Sequence, residues 1–122
     1  MPVPAMLAEA PLAARRDRLW HDCRNSLGIA RLLVNEARPP ALAATACRLA
    51  VENACRAALE HLGLPYHGDL GRALHDLKVD AEWSASTAGS ADDRELLLAA
   101  ERTVGSIAAF LRDAEPARSW GF

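Results

Sequence analysis

The chain has 122 residues, of which 51% are hydrophobic but only 5% aromatic, so we expect one domain with a core of mainly Ala, Leu and Val. Its formal net charge of −2 lacks the basic excess typical of a dedicated nucleic-acid-binding protein. No apolar stretch reaches the roughly 20 residues of a membrane-spanning helix, and the N-terminus does not resemble a signal peptide. We therefore expect a cytoplasmic protein with no membrane partner.

The three cysteines lie within apolar helical patterns, and their number is odd. This favours reduced, buried thiols over a disulfide framework. Cys47 and Cys55 would lie two helical turns apart, and zinc sites use more closely spaced ligand pairs. We predict neither a metal site nor a cofactor.

The first predicted helix runs from Pro11 to Ala37, after a loose lead-in over residues 1–10. Its apolar seam has alternating spacings of three and four, and Leu19 and Leu33 widen it. The seam consists of Trp20, Cys23, Leu27, Ala30, Val34 and Ala37. Gly28 interrupts the pattern, which suggests close helix packing there. Arg38-Pro39-Pro40 ends the helix, because a residue before proline is disfavoured in the α region.

The second predicted helix, Ala41 to Gly63, is the central one, and its two sides differ. The apolar side contains Ala43, Cys47, Ala50, Val51, Ala54 and Ala58, with Leu62 at its edge. The opposite side carries Arg48, Glu52, Arg56 and Glu60, a row of alternating sign that predicts i,i+4 ion pairs. Gly63 is placed to cap the helix, with Pro65 soon after.

The third predicted helix begins after Asp69, a candidate N-cap, and ends near Trp83. Its stripe is Leu70, Leu74, Leu77 and Ala81. A loop over residues 84–90 follows, and Ser90 with Asp93 resembles a capping box.

The fourth predicted helix then runs to about Ala114, before Pro116. Its seam is Leu97, Ala100, Val104, Ile107, Leu111 and Ala114, with Phe110 beside it. Four amphipathic segments joined by short loops predict a single all-α domain, an antiparallel four-helix bundle with an uncertain tail over residues 116–122.

Polar residues around the turn between helices two and three are weak candidates for ligand binding. They are Tyr66, His67, Arg72 and His75. His61, His67 and His75 are either a weak metal or phosphate cluster or, as we favour, polar residues of a solvated turn. Tyr66 is either exposed or, as we favour, packed at one end of the bundle.

Three stretches resemble the HEPN domain superfamily: WHDCRNSLGIARLL, ALAATACRLAVENACRAALEHLG and DLGRALHDL. The resemblance spans roughly residues 20–77 and is most specific over residues 46–59. It implies a bundle of four or five helices that commonly dimerises, in a superfamily that includes partners of minimal nucleotidyltransferases.

Many HEPN proteins are metal-independent ribonucleases, in which an Arg precedes a His by four to six residues near the start of a late helix. Such a His would act as general acid or base, and the Arg would stabilise developing phosphate charge. The fourth predicted helix has no His. The spacing occurs at Arg16 to His21 and at Arg56 to His61, and neither pair is expected to converge within one subunit.

We therefore interpret the chain as a non-catalytic, HEPN-like homodimeric binding module in a toxin–antitoxin-like context. Its partner would be a minimal nucleotidyltransferase or a nucleotide-bearing ligand, although the net charge does not support RNA or nucleotide binding. The small-residue faces of helices one and two, or the aromatic tail, would form the interface. The alternatives are a ribonuclease or toxin with a displaced Arg/His site and a purely structural helical subunit.

Overall fold

The computed structural model describes residues 5–36, 40–78 and 92–114, which form four helices and no strand. The helices are α1 (Ala5–Asn35), α2 (Pro40–Leu62), α3 (Leu70–Leu77) and α4 (Asp93–Ala114). The all-α prediction is confirmed over these ranges. Within them, no helix is both long enough and apolar enough to cross a membrane.

Helix α2 is central, as predicted, because it contacts each of the other three helices. All six residues assigned to its apolar side are buried, whereas Leu62 is exposed. Burial extends further around the helix than predicted and includes Ala46, Cys55, Ala57 and Leu59. This follows because α3 and α4 pack against α2 in addition to α1.

Helix α1 buries its predicted seam from Trp20 to Ala30, with Leu33 and Val34 half-buried. It begins at Ala5, so the predicted start at Pro11 and the loose lead-in over residues 5–10 are wrong. The Ala- and Leu-rich residues around Pro11 favour helix strongly enough for one lost hydrogen bond to be tolerated. Residues 5–14 precede the point at which α1 meets the last turn of α2.

Gly28 does not mark close helix packing. A Cβ added to this half-buried glycine would meet no atom within 4 Å of it. The interpretation of Gly28 as a contact point is therefore wrong. Ala37, the last residue of the predicted seam, lies outside the described residues.

The turn between α2 and α3 follows the predicted capping chemistry. Gly63 has φ of 70°, and the N–H of Leu64 donates to the carbonyl of Leu59 at 2.9 Å, as in a Schellman motif. Asp69 caps α3, its carboxylate accepting hydrogen bonds from the N–H groups of Gly71 and Arg72 at 3.0 and 3.4 Å.

Helix α3 is shorter than predicted. Leu74 and Leu77 are buried, as expected, but the helix ends at Leu77 rather than near Trp83. Lys78 adopts a left-handed conformation with φ of 53°, and its N–H donates to the carbonyl of His75 at 3.0 Å. Ala81 and the predicted loop over residues 84–90 lie outside the described residues.

Helix α4 is capped by Asp92, not Ser90. The side chain of Asp92 accepts a hydrogen bond from the N–H of Glu95 at 2.8 Å. The predicted cap is therefore two residues too early in the chain. The prediction assigned Asp93 to the capping box, whereas Asp92, directly before it, is the cap. Four of the seam residues are buried, namely Ala100, Val104, Ile107 and Leu111, and Leu97 and Phe110 are half-buried. The side chain of Ala114 and residues 115–122 are outside the described part.

Helix α4 packs against α2 and also against α1. An ion pair joins it to α1, with Nε of Arg31 3.3 Å from Oε1 of Glu101. This contact identifies the side of α1 that faces α4.

Candidate functional site

The structure brings together one member of each predicted Arg/His pair. Nη1 of Arg16, in α1, donates a hydrogen bond of 2.9 Å to Nδ1 of His61, in the last turn of α2. Arg16 is only 9% exposed and His61 is half-buried. Because a guanidinium group only donates, Nδ1 of His61 accepts, and a neutral imidazole carries its proton on Nε2.

A second contact between the same two helices lies beside this pair. Nη2 of Arg15 is 2.9 Å from Oε1 of Glu60, and Nε of Arg16 is 3.9 Å from Oδ1 of Asp17. Two arginines of α1 thus lie at the C-terminal end of α2, where cations are stabilised by the helix dipole. The cluster fixes the register of α1 on α2 and accounts for the buried Arg16 without any reaction.

The two pairs predicted from spacing do not form contacts in the structure. His21 is exposed, and its Nε2 accepts a hydrogen bond of 3.2 Å from Nδ2 of Asn25. Arg56 lies over the ring of Tyr66, 5.8 Å from its centroid. The Arg16–His61 contact joins residues 45 apart, so no local spacing reveals it. Pairing the two helices in antiparallel register across their short connection would have predicted this contact.

Tyr66 packs against the core cluster, as favoured from the sequence, and is half-buried. Burial raises the pKa of its hydroxyl above the ordinary value, and the carboxylate of Glu52 adds to the effect. The predicted row of i,i+4 ion pairs on α2 is wrong for the described residues. No two members of that row lie within ion-pair distance, and Glu60 pairs with Arg15 instead.

The remaining ligand-binding candidates do not converge. His67 and His75 are exposed, and Arg72 is exposed with its Nε 3.9 Å from Oδ2 of Asp76. In residues 5–36, 40–78 and 92–114, no group of three His, Cys, Asp or Glu side chains could hold a metal ion. The three histidines around the turn therefore do not form the metal cluster that was considered as one interpretation of the sequence.

All three cysteines are buried and free, as predicted. Burial raises the pKa of the Cys23 and Cys55 thiols to about 12. The thiolate is the nucleophilic form, so these groups are unsuited to nucleophilic catalysis near neutral pH.

The most prominent exposed feature is a group of large aliphatic side chains on α1 and α2, which we call the outer face. It comprises Ile29 (52% exposed), Leu32 (60%), Leu42 (52%) and Leu49 (46%). Ile29 lies about 160° around α1 from Arg31, the residue that contacts α4. On α2, Leu42 and Leu49 lie about 160–180° around the helix from buried Val51. The outer face is therefore directed away from α4.

Sequence reasoning missed the outer face because it followed only the seams that serve the core. A second period of three and four on α1, through Asn25, Ile29 and Leu32, was the available signal. Contiguous exposed aliphatic side chains of this kind mark interaction sites in soluble proteins. No protein-family model, curated protein or solved structure matches this chain.

Proposed function

We propose that this chain is a non-catalytic, homodimeric binding module that acts in the cytoplasm through association. Its architecture is an antiparallel, HEPN-like four-helix bundle. Its heterologous partner is a minimal nucleotidyltransferase or a nucleotide-bearing ligand, in a toxin–antitoxin-like context. The HEPN-like architecture and the identity of the heterologous partner are proposed from the sequence resemblance.

The observation that carries the proposal is the outer face. Four large aliphatic side chains, each about half exposed, lie on the neighbouring helices α1 and α2. Fully burying an exposed side chain of this kind is worth about 1.5–3 kcal/mol, so covering the exposed half of all four would gain several kcal/mol. A non-catalytic role is consistent with the Arg16 cluster, whose contacts have a structural explanation.

Light scattering coupled to size-exclusion chromatography tests the dimer. We expect twice the chain mass of 13.1 kDa at micromolar concentration, and the monomer mass for Leu49→Arg. Leu98→Arg is the matched control, because Leu98 is 48% exposed on α4 and lies off the outer face. A monomeric wild-type protein at all accessible concentrations would remove the dimer from the proposal.

Titration calorimetry tests the heterologous partner. The purified wild-type protein is titrated with the product of a nucleotidyltransferase gene adjacent to its own gene, or with a nucleoside triphosphate. We expect saturable binding of one of these. Absence of binding to both would confine the function to self-association.

A ribonuclease with a displaced site is the second candidate, and the Arg16–His61 contact favours it. Its Nη1–Nδ1 distance of 2.9 Å is within hydrogen-bond reach, and a dimer could bring two such pairs together. The test is incubation of the purified protein with single-stranded and structured RNA. Cleavage abolished by His61→Gln but retained by His21→Gln would establish this candidate, whereas no cleavage by the wild type would refute it.

A further inference from the structure

We propose that a second copy of this chain covers the outer face with a two-fold axis parallel to the helices, so that α1 of each copy lies along α2 of the other. The inference rests on the proposed function in one respect, namely that a dimer forms through the outer face. It adds the orientation of the two copies and the charged side chains that fix it.

The register of α1 on α2 places the four aliphatic side chains in one patch. Only four residues separate the end of α1 from the start of α2, yet Arg15 and Arg16 meet Glu60 and His61 at the far ends of the two helices. The two helices therefore run in opposite directions, and one residue forward in α1 corresponds to one residue back in α2. Both helices rise by about 1.5 Å per residue, which puts Ile29 level with the turn that holds Leu49. By the same count, Leu32 is level with residues between Leu42 and Leu49.

The outward side of α1 carries a second periodic stripe whose chemistry changes along its length. All five residues are exposed, and their spacings are four, three, four and three. In order they are Arg18, Asp22, Asn25, Ile29 and Leu32. The stripe thus reads positive, negative, polar, apolar, apolar.

The outward side of α2, followed from its C-terminal end, carries the same pattern with the charges inverted. In order its residues are Glu60, Arg56, Asn53, Leu49 and Leu42. The first three are half-buried and the two leucines are exposed. The stripe reads negative, positive, polar, apolar, apolar. Each residue lies within about 3 Å of the level of its counterpart on α1, although Leu42 is seven residues from Leu49 whereas Leu32 is three residues from Ile29.

A two-fold axis parallel to the helices sets each stripe against its counterpart. It brings Arg18 near Glu60 of the partner subunit and Asp22 near Arg56 of the partner subunit, while the aliphatic residues meet at the other end. Such complementarity selects orientation more than it adds affinity. Because Arg15 of the same chain already neutralises Glu60, Asp22 and Arg56 form the more informative pair.

The size of the contact favours this orientation over the alternative. With the axis parallel to the helices, the two copies overlap along all of α2, 23 residues or about 34 Å. Two helices about 9 Å apart give a face about 20 Å wide, hence about 700 Å² per copy, close to the usual 800 Å². An axis perpendicular to the helices through the apolar patch would cover only about half of that length, because the patch lies at one end.

The first test is charge reversal, read out as the dimer dissociation constant at low salt. We expect Asp22→Arg to raise it at least tenfold, since it places two cations together at each of two symmetric positions. The double variant Asp22→Arg/Arg56→Asp should recover most of the loss. Asp113→Arg, a reversal at an exposed site on α4, is the matched control and should leave the constant unchanged.

The second test is cross-linking between copies. Oxidation of an equal mixture of Ile29→Cys and Leu49→Cys should give a disulfide-linked dimer, while neither variant alone should, because disulfides need Cα atoms within about 7 Å. A perpendicular axis through the apolar patch would instead set α1 against α1 of the other copy, and predicts cross-linking of Ile29→Cys with Leu32→Cys.

The failures of the two proposals are distinguishable. A dimer broken by Leu49→Arg but indifferent to Asp22→Arg, with no Ile29–Leu49 cross-link, would overturn the orientation and leave the dimeric function standing. A wild-type monomer would overturn both.

Discussion

Replacement of Gly28 by alanine is expected to stabilise the protein. Gly28 lies inside α1 with no atom within 4 Å of an added Cβ, so the methyl group meets no steric cost. An interior glycine is about 0.8–1.0 kcal/mol less favourable than alanine in a helix. For a chain of this length, about 1 kcal/mol corresponds to a rise in Tm of about 4 °C.

The matched comparison is Gly63→Ala, for which the opposite sign is expected. Gly63 also has open space around its Cβ position, but its φ of 70° is left-handed. An alanine there costs about 1 kcal/mol, so Tm should fall by a similar amount. The two substitutions add the same methyl group, and only the backbone conformation separates them.

The assay is thermal unfolding followed by circular dichroism, with all three proteins at one concentration because association shifts Tm. A lower Tm for Gly28→Ala would refute the reasoning. It would restore the interpretation of Gly28 as a close contact, in this case with a neighbour other than α2 or α4 of the same chain.

Three further outcomes are expected. Leu27→Ala, which empties a fully buried site, should lower the free energy of unfolding in urea by about 3 kcal/mol, whereas exposed Leu98→Ala should change it by less than about 0.5 kcal/mol. Asp69→Ala should cost about 1 kcal/mol in the same assay by removing the cap of α3; no change would show that water replaces the cap. The raised pKa values of Cys23 and Cys55 contribute stability that is present below pH 9 and lost as the pH rises toward 12. In the double variant Cys23→Ala/Cys55→Ala, the free energy of unfolding should fall less with rising pH than in the wild type. An equal fall in both proteins would contradict the prediction.

The parts of the fold that depend on local chemistry were predictable from the sequence. The three-and-four spacing identified the buried seams of α1 and α4, because the side of a helix that faces the core repeats with the helical period. Asp69 and Gly63 cap the helices as predicted, because each satisfies backbone groups within a few residues of itself.

Helix ends set by competing signals were less predictable. The start at Ala5 depends on helix propensity overriding Pro11, and the end of α3 depends on Lys78 accepting a left-handed conformation. At each of these helix ends, the helical and the non-helical conformations differ in free energy by only about 1–3 kcal/mol. The spacing of residue types does not resolve so small a difference.

The candidate site was the least predictable part. Arg16 and His61 were each selected from the sequence, in two separate pairs that were not expected to converge within one subunit. Their contact with each other was not predicted, because it depends on the register between two helices. The ion-pair row on α2 failed for a related reason. Arg56 and Glu60 make their contacts with Tyr66 and Arg15, which lie on other elements.

The early start of α1 has a consequence for the kinetics of local opening. Since Arg15 and Arg16 meet the last turn of α2, residues 5–14 continue α1 for about 15 Å beyond that helix. Ten residues alone would not sustain a helix in water, but here the packed part of α1 has already met the cost of nucleation, and the extension needs only propagation. Amide hydrogen exchange should therefore slow progressively from Ala5 toward Arg16, within one continuous helix, rather than change abruptly at Pro11.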